Sequence, residues 1–129
     1  MLFRSAQELR EYEEARVNYQ QALQIKVEFN DCYSQASTYH QLGIVSQKLR
    51  KYEEAWINYQ QALKIRVEFN DRYSQASTYY NLGRLAEAEG NPSEAVNCLQ
   101  KALEIFTEFG DEHSIGITRR NLARIENGE

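Results

Sequence analysis

The chain has 129 residues, 26% of them charged and 42% hydrophobic, with a formal net charge of −4. That length holds one domain or one array of small units, and the acidic balance argues against a general affinity for nucleic acid, which needs a basic face. One proline and six glycines leave few turns, and a stock rich in Ala, Leu, Glu, Gln, Arg and Lys favours long helices.

The opening segment MLFRSAQELR lacks the apolar core of a signal peptide, and no apolar run approaches the ~20 residues of a membrane span. A cytoplasmic protein is expected. The two cysteines, Cys32 and Cys98, suggest no disulfide framework, which fits a reducing compartment.

In chain order, helices are expected over 2–10, 12–29, 31–49, 52–69, 71–89, 92–109 and 111–127, seven in all. The sixth shows the reasoning most fully. Ala95, Val96, Leu99, Ala102, Leu103 and Phe106 step along one helical face. Asn91 is its N-cap, Pro92 its first helical residue, and Glu94 lies in its first turn. Gly90 ends the preceding helix in a left-handed conformation, Gly110 ends this one, and Asn30 and Asn70 serve where glycine is missing. Asp31, Asp71 and Asp111 each cap the helix that follows. Arg10 and Arg50 stand in the slot of Gly90, where a left-handed conformation costs about 1–2 kcal/mol. The pairs Glu13-Glu14 and Glu53-Glu54 fall in first turns, where negative charge complements the helix dipole.

The chain repeats itself. Tyr12–Gly43 and Tyr52–Gly83 differ at 7 of 32 positions, and a third, diverged copy keeps the register. Ala15, Ala55 and Ala95 align at intervals of 40, as do Ala22, Ala62 and Ala102, and Leu42, Leu82 and Leu122. A period in this range marks a repeat architecture of stacked helix pairs, all-α, with a shared core. Ala55, Ala62 and Gly83 are expected where helices approach closely. The units read as one array: 1–29 partial, 31–69, 71–109, and a terminal helix 111–127. The last helix is either a terminal cap, or the chain is a fragment of a longer array.

The pattern resembles the tetratricopeptide repeat. Tyr39, Leu42, Gly43 and Ser46 with Ala55, Tyr59 and Ala62 follow that family's pattern. So do Tyr79, Leu82, Gly83 and Ala86 with Ala95, Leu99 and Ala102. The common unit is about 34 residues; the 40-residue period here is similar to the longer-helix subtype of bacterial signalling-protein arrays and cell-polarity adaptors. The resemblance implies a right-handed α-solenoid that binds other proteins and performs no catalysis.

It also implies that the first helix of each unit lines a concave groove. Carried over by position, the groove takes Ser37, His40, Gln41, Ile44, Gln47 and Lys48, then Ser77, Tyr80, Asn81, Arg84, Glu87 and Ala88, then Ile117, Arg120, Asn121 and Arg124. The residues expected to meet a peptide are His40, Gln41, Ile44, Lys48, Tyr80, Asn81, Arg84, Arg120, Asn121 and Arg124. Lys48, Arg84, Arg120 and Arg124 against Glu87 make the stripe basic on an acidic chain, which suits an acidic or carboxylate-bearing peptide. Asn81 and Asn121, with Gln41, could pair with an extended backbone. The plainer readings stand beside these: the arginines form a solvated face, and the matched asparagines bond between helices.

No cofactor, metal site or catalytic constellation is expected. His40 and His113 lack partners at metal-ligand spacing, and there is no glycine-rich phosphate loop. The leading expectation is a non-catalytic scaffold for a protein or peptide partner, with no nucleic acid and no membrane. The alternative is a spacer or oligomerisation segment of a larger signalling protein, self-associating through exposed array ends.

Overall fold

The computed structural model describes residues 5–28 and 30–128. Among the described residues there are six helices and no strand: α1 (Ala6–Glu28), α2 (Cys32–Lys48), α3 (Tyr52–Glu68), α4 (Arg72–Ala88), α5 (Pro92–Glu108) and α6 (Glu112–Glu126). Six replaces the expected seven because the first two helices are one. The start of the first, at residues 2–4, lies outside the described residues, as does the end of the second at residue 29.

The junction shows why. Leu9-Arg10 and Leu49-Arg50 are the same dipeptide in the same slot of the repeat, yet Arg50 turns at φ 61° while Arg10 lies within α1. Before Arg50 stands the whole of α2, which gains by folding back on α3. In α1 the hydrogen-bond ladder runs on through Arg10 and Glu11, and propagating a helix costs less than nucleating a new one. Ser5 starts α1 instead, its Oγ accepting the Glu8 N–H at 3.1 Å.

The remaining ends follow the sequence. Asp31, Asp71 and Asp111 accept the N–H of Ser34, Ser74 and Ser114, and Asn91 accepts that of Glu94. Asn30, Asn70, Gly90 and Gly110 have positive φ. Each such turn closes with a backbone bond reaching back five residues, such as Asn91 N–H to Ala86 O at 2.9 Å, which satisfies carbonyls the helix leaves open.

The chain divides into two compact units, Met1–Ile65 and Arg66–Glu129, with the division inside α3. In the first, α1 packs on α2 and α2 on α3. As α2 ascends α3 descends: Gly43 faces Tyr59, and Ser46 faces Glu54. A Cβ on Gly43 would lie 2.5 Å from the Tyr59 ring, so glycine there sets the approach of the two backbones. Tyr59, Ala55 and Ala62 are fully buried around it. Arg16 crosses from α1 to grip Glu54 with two bonds of 2.7 and 2.6 Å.

In the second unit α5 packs on both α4 and α6. Ala76, Ala102, Ile105, Phe106 and Ile115 form its core, flanked by Tyr79, Tyr80 and Leu103. Gly83 stands where a Cβ would meet Leu99 at 2.8 Å. The close approach expected at Gly83 is present, and Ala55 and Ala62 are fully buried.

Candidate functional site

In the second unit the stripe residues of α4 and α6 come together. A cavity of about 220 Å³ opens there, lined by Ser77, Tyr80 and Asn81 from α4, Ser114, Ile117 and Thr118 from α6, and Phe106 from α5. Ser77, Tyr80, Asn81 and Ile117 all belong to the stripe. Phe106 makes the cavity's apolar wall, and its slot is informative. One and two repeats earlier the slot holds Arg66 and Lys26, which donate to Thr78 at 2.6 Å and Thr38 at 2.7 Å. Phe106 brings no such donor to its slot; Thr118 donates to Ser114 O within α6, at 2.7 Å.

Beyond the cavity, five side chains close a polar ring between α4 and α6. Arg84 donates to the Tyr80 hydroxyl at 3.2 Å, and Asn121 Nδ2 donates to the same hydroxyl at 2.8 Å. Arg124 donates to Asn121 Oδ1 at 2.9 Å. It also holds Glu87 with both nitrogens, Nη1 to Oε2 and Nη2 to Oε1, the latter at 2.9 Å. Glu87 lies 3.8 Å from Arg84, one turn back along α4, and completes the circuit. The hydrogen bonds from Arg124 are the main cause holding the Glu87 carboxyl below its usual range, so it carries full charge at neutral pH.

This ring revises the picture of a row of available arginines. Arg124 is engaged with a carboxylate, and Arg84 is near one. Arg120 is exposed on α6 and forms no ion pair among the described residues. Asn121 bonds across to the neighbouring helix, which was the plainer of its two readings. Its Nδ2 also donates to Ile117 O at 3.2 Å. Tyr80, fixed through its hydroxyl, is a rigid wall shared by cavity and ring.

The first unit uses its stripe differently. His40, the counterpart of Tyr80, is buried and meets the Tyr59 ring edge-on at 5.8 Å. Gln41 and Lys48 are exposed and Ile44 is half-buried. The polar interactions there lie toward α3: Tyr59 donates to Gln47 Oε1 at 3.1 Å, and Ser46 donates to Glu54 Oε2 at 2.7 Å. Glu54, held chiefly by Arg16, titrates at about 2. Its pairing with Arg16 was missed, because only the dipole role of the Glu53-Glu54 pair is legible locally. The substitution of Arg16 by Trp56 one repeat on was the available signal.

Among the described residues, no cluster of three or more His, Cys, Asp or Glu could hold a metal ion, and no helix is long and apolar enough to cross a membrane. Burial pushes the Cys98 thiol up to about 12, so it is a poor nucleophile.

The family model described as Tetratricopeptide repeat matches residues 4–68, 34–108 and 74–128. The chain belongs to the tetratricopeptide-repeat family. Repeats of this family generally mediate protein–protein interaction, and its members are typically non-catalytic. Among solved structures the chain is similar to the crystal structure of BtubC (BKLC) from P. vanneervenii, with a TM-score of 0.69 and 20% identity. The match covers 95% of this chain and 59% of that one. At that identity the likeness speaks for the fold. No curated protein matches the sequence.

Proposed function

We propose that the chain is a protein-interaction module whose α4–α6 face receives a segment of a partner protein, one bearing acidic side chains or a terminal carboxylate. The observation that carries this reading is the cavity lined by Tyr80, Asn81, Phe106 and Ile117, with Arg84 on the Tyr80 hydroxyl and Arg120 exposed on the same helix as Ile117. An apolar side chain fits a pocket of that size, and a carboxylate beside it meets a guanidinium fork. A short peptide of this kind binds with roughly micromolar affinity, about −8 kcal/mol.

The test is a peptide array of acidic and basic sequences, probed with the wild type and with Arg84→Glu/Arg120→Glu. Acidic hits lost in the double variant are expected. Equal binding by both proteins removes the α4–α6 face as the site.

A second reading, self-association through α1, is favoured by one contrast. Ala55, Tyr59 and Ala62 are fully buried in α3, but their counterparts Ala15, Tyr19 and Ala22 in α1 are half-buried, and Val17 is 47% exposed. Exposed apolar surface of this kind promotes association. Light scattering at rising concentration decides it: a growing mass that Val17→Glu abolishes supports this reading, and a constant monomer mass removes it.

A further inference from the structure

We propose that Glu87 is a specificity-determining residue, an internal carboxylate that occupies Arg124 and competes with an acidic partner segment for the α4–α6 face. The inference rests on the reading of that face as the binding site.

The repeat register supplies the argument. Arg84 and Arg124 occupy the same slot in successive units, and Glu87 lies between them, 3.8 Å from one and doubly hydrogen-bonded to the other. In the preceding unit the slot of Glu87 is Gln47, a neutral residue that accepts a bond from Tyr59. The unit with the cavity is thus the one in which an acid interrupts the basic slot. A carboxylate there does two things to an incoming acidic segment. It repels it as a like charge, and it holds the guanidinium the segment would otherwise use. Only a ligand making further contacts, with Arg120 and inside the cavity, overcomes both effects. Discrimination obtained by penalising the wrong ligand is a general device. With Glu87 neutral, the face would attract polyanions with little selection.

The Glu87–Arg124 pair also ties α4 to α6, so charge must be separated from mechanical support. Glu87→Gln keeps an acceptor for Arg124 and removes the negative charge. Arg124→Gln breaks the same tie and removes the positive charge. If the pair acts as a mechanical clasp, both variants move affinity in the same direction. If Glu87 acts as a competitor, they move it in opposite directions.

The experiment is fluorescence anisotropy with a labelled peptide carrying one phenylalanine flanked by glutamates, and with its glutamine counterpart, on wild type, Glu87→Gln, Arg124→Gln and Arg84→Glu/Arg120→Glu. Thermal melts establish that each variant folds. Exposed charge pairs contribute up to about 1 kcal/mol, so Glu87→Gln should tighten the glutamate peptide about two- to fivefold and Arg124→Gln should weaken it comparably. The glutamine peptide should respond to neither. Shifts in the same direction, or an unchanged affinity in Glu87→Gln, overturn the role of Glu87 while leaving the site intact, provided the double arginine variant loses the peptide. If that double variant binds like wild type, or wild type binds neither peptide, the site reading fails and the role of Glu87 fails with it.

Discussion

Arg10 and Arg50 carry the same side chain in the same slot of the repeat and should respond oppositely to glycine. Arg50 has φ 61°, where a side chain costs free energy and glycine does not. Its guanidinium lies 5.9 Å from the Tyr52 ring centre, a contact that offsets part of the gain. Arg50→Gly should therefore stabilise by about 0.5 kcal/mol, while Arg10→Gly, inside α1, should destabilise by about 0.5–1 kcal/mol. Urea denaturation of both variants checks the pair, and equal signs would refute the conformational argument. The helical glycines divide in the same way. Gly43→Ala drives a methyl into the buried Tyr59 ring, whose hydroxyl is tied to Gln47, and should cost about 1–3 kcal/mol. Gly116→Ala meets only the flexible end of Arg120 at 3.6 Å and should stabilise by up to about 1 kcal/mol. Both positions read as glycine in a helix; only the packing separates them.

At the scale of elements, the Arg16–Glu54 pair joins α1 to α3. Glu54 titrates at about 2 in the folded state against an ordinary 4.5, because Arg16 and Ser46 hydrogen-bond its charged form. The folded pKa is depressed, so the pair's stabilisation is complete above pH 4.5 and is lost as pH falls toward 2. Thermal melts across that window should show a shallower acid limb for Glu54→Gln than for the wild type, and an unchanged slope would sink the assignment. α1 itself has no fully buried residue, whereas α5 buries Ala95, Cys98, Leu99, Ala102, Ile105 and Phe106. Hydrogen exchange should therefore be faster along α1 than along α5, since local opening is cheapest where little apolar area is lost.

For the whole molecule, charge is unevenly used. The chain carries −4 overall, yet the face proposed to bind acids holds Arg84, Arg120 and Arg124 against Glu87. Binding there depends on short-range charge that salt screens over about 10 Å at 0.1 M. Affinity for a glutamate-rich peptide should fall as salt rises even though protein and peptide share the sign of net charge. Affinity that rose with salt would mean that net repulsion governs the encounter and that the basic stripe does not.

The repeat and its helix ends were legible in the sequence because both are local. Capping by Asp31, Asp71, Asp111 and Asn91, and left-handed turns at Asn30, Asn70, Gly90 and Gly110, depend on a few consecutive residues whose side chains either can or cannot make the required bond. The small residues in the repeat likewise marked the close approach at Gly83 and the buried positions of Ala55 and Ala62. What the sequence left open involves partners half a repeat to a whole repeat apart. The Arg16–Glu54 and Arg124–Glu87 pairs, the Tyr80–Asn121 bond and the burial of His40 against Tyr59 each depend on how two or three helices meet. The same holds for the merged α1, where Arg10 and Arg50 share a local sequence but not a conformation. A turn or a cap is chosen by the chain's own torsions and nearest donors. Whether an arginine is available to a ligand or spent on a neighbouring carboxylate is chosen by packing, and only the tertiary structure decides it.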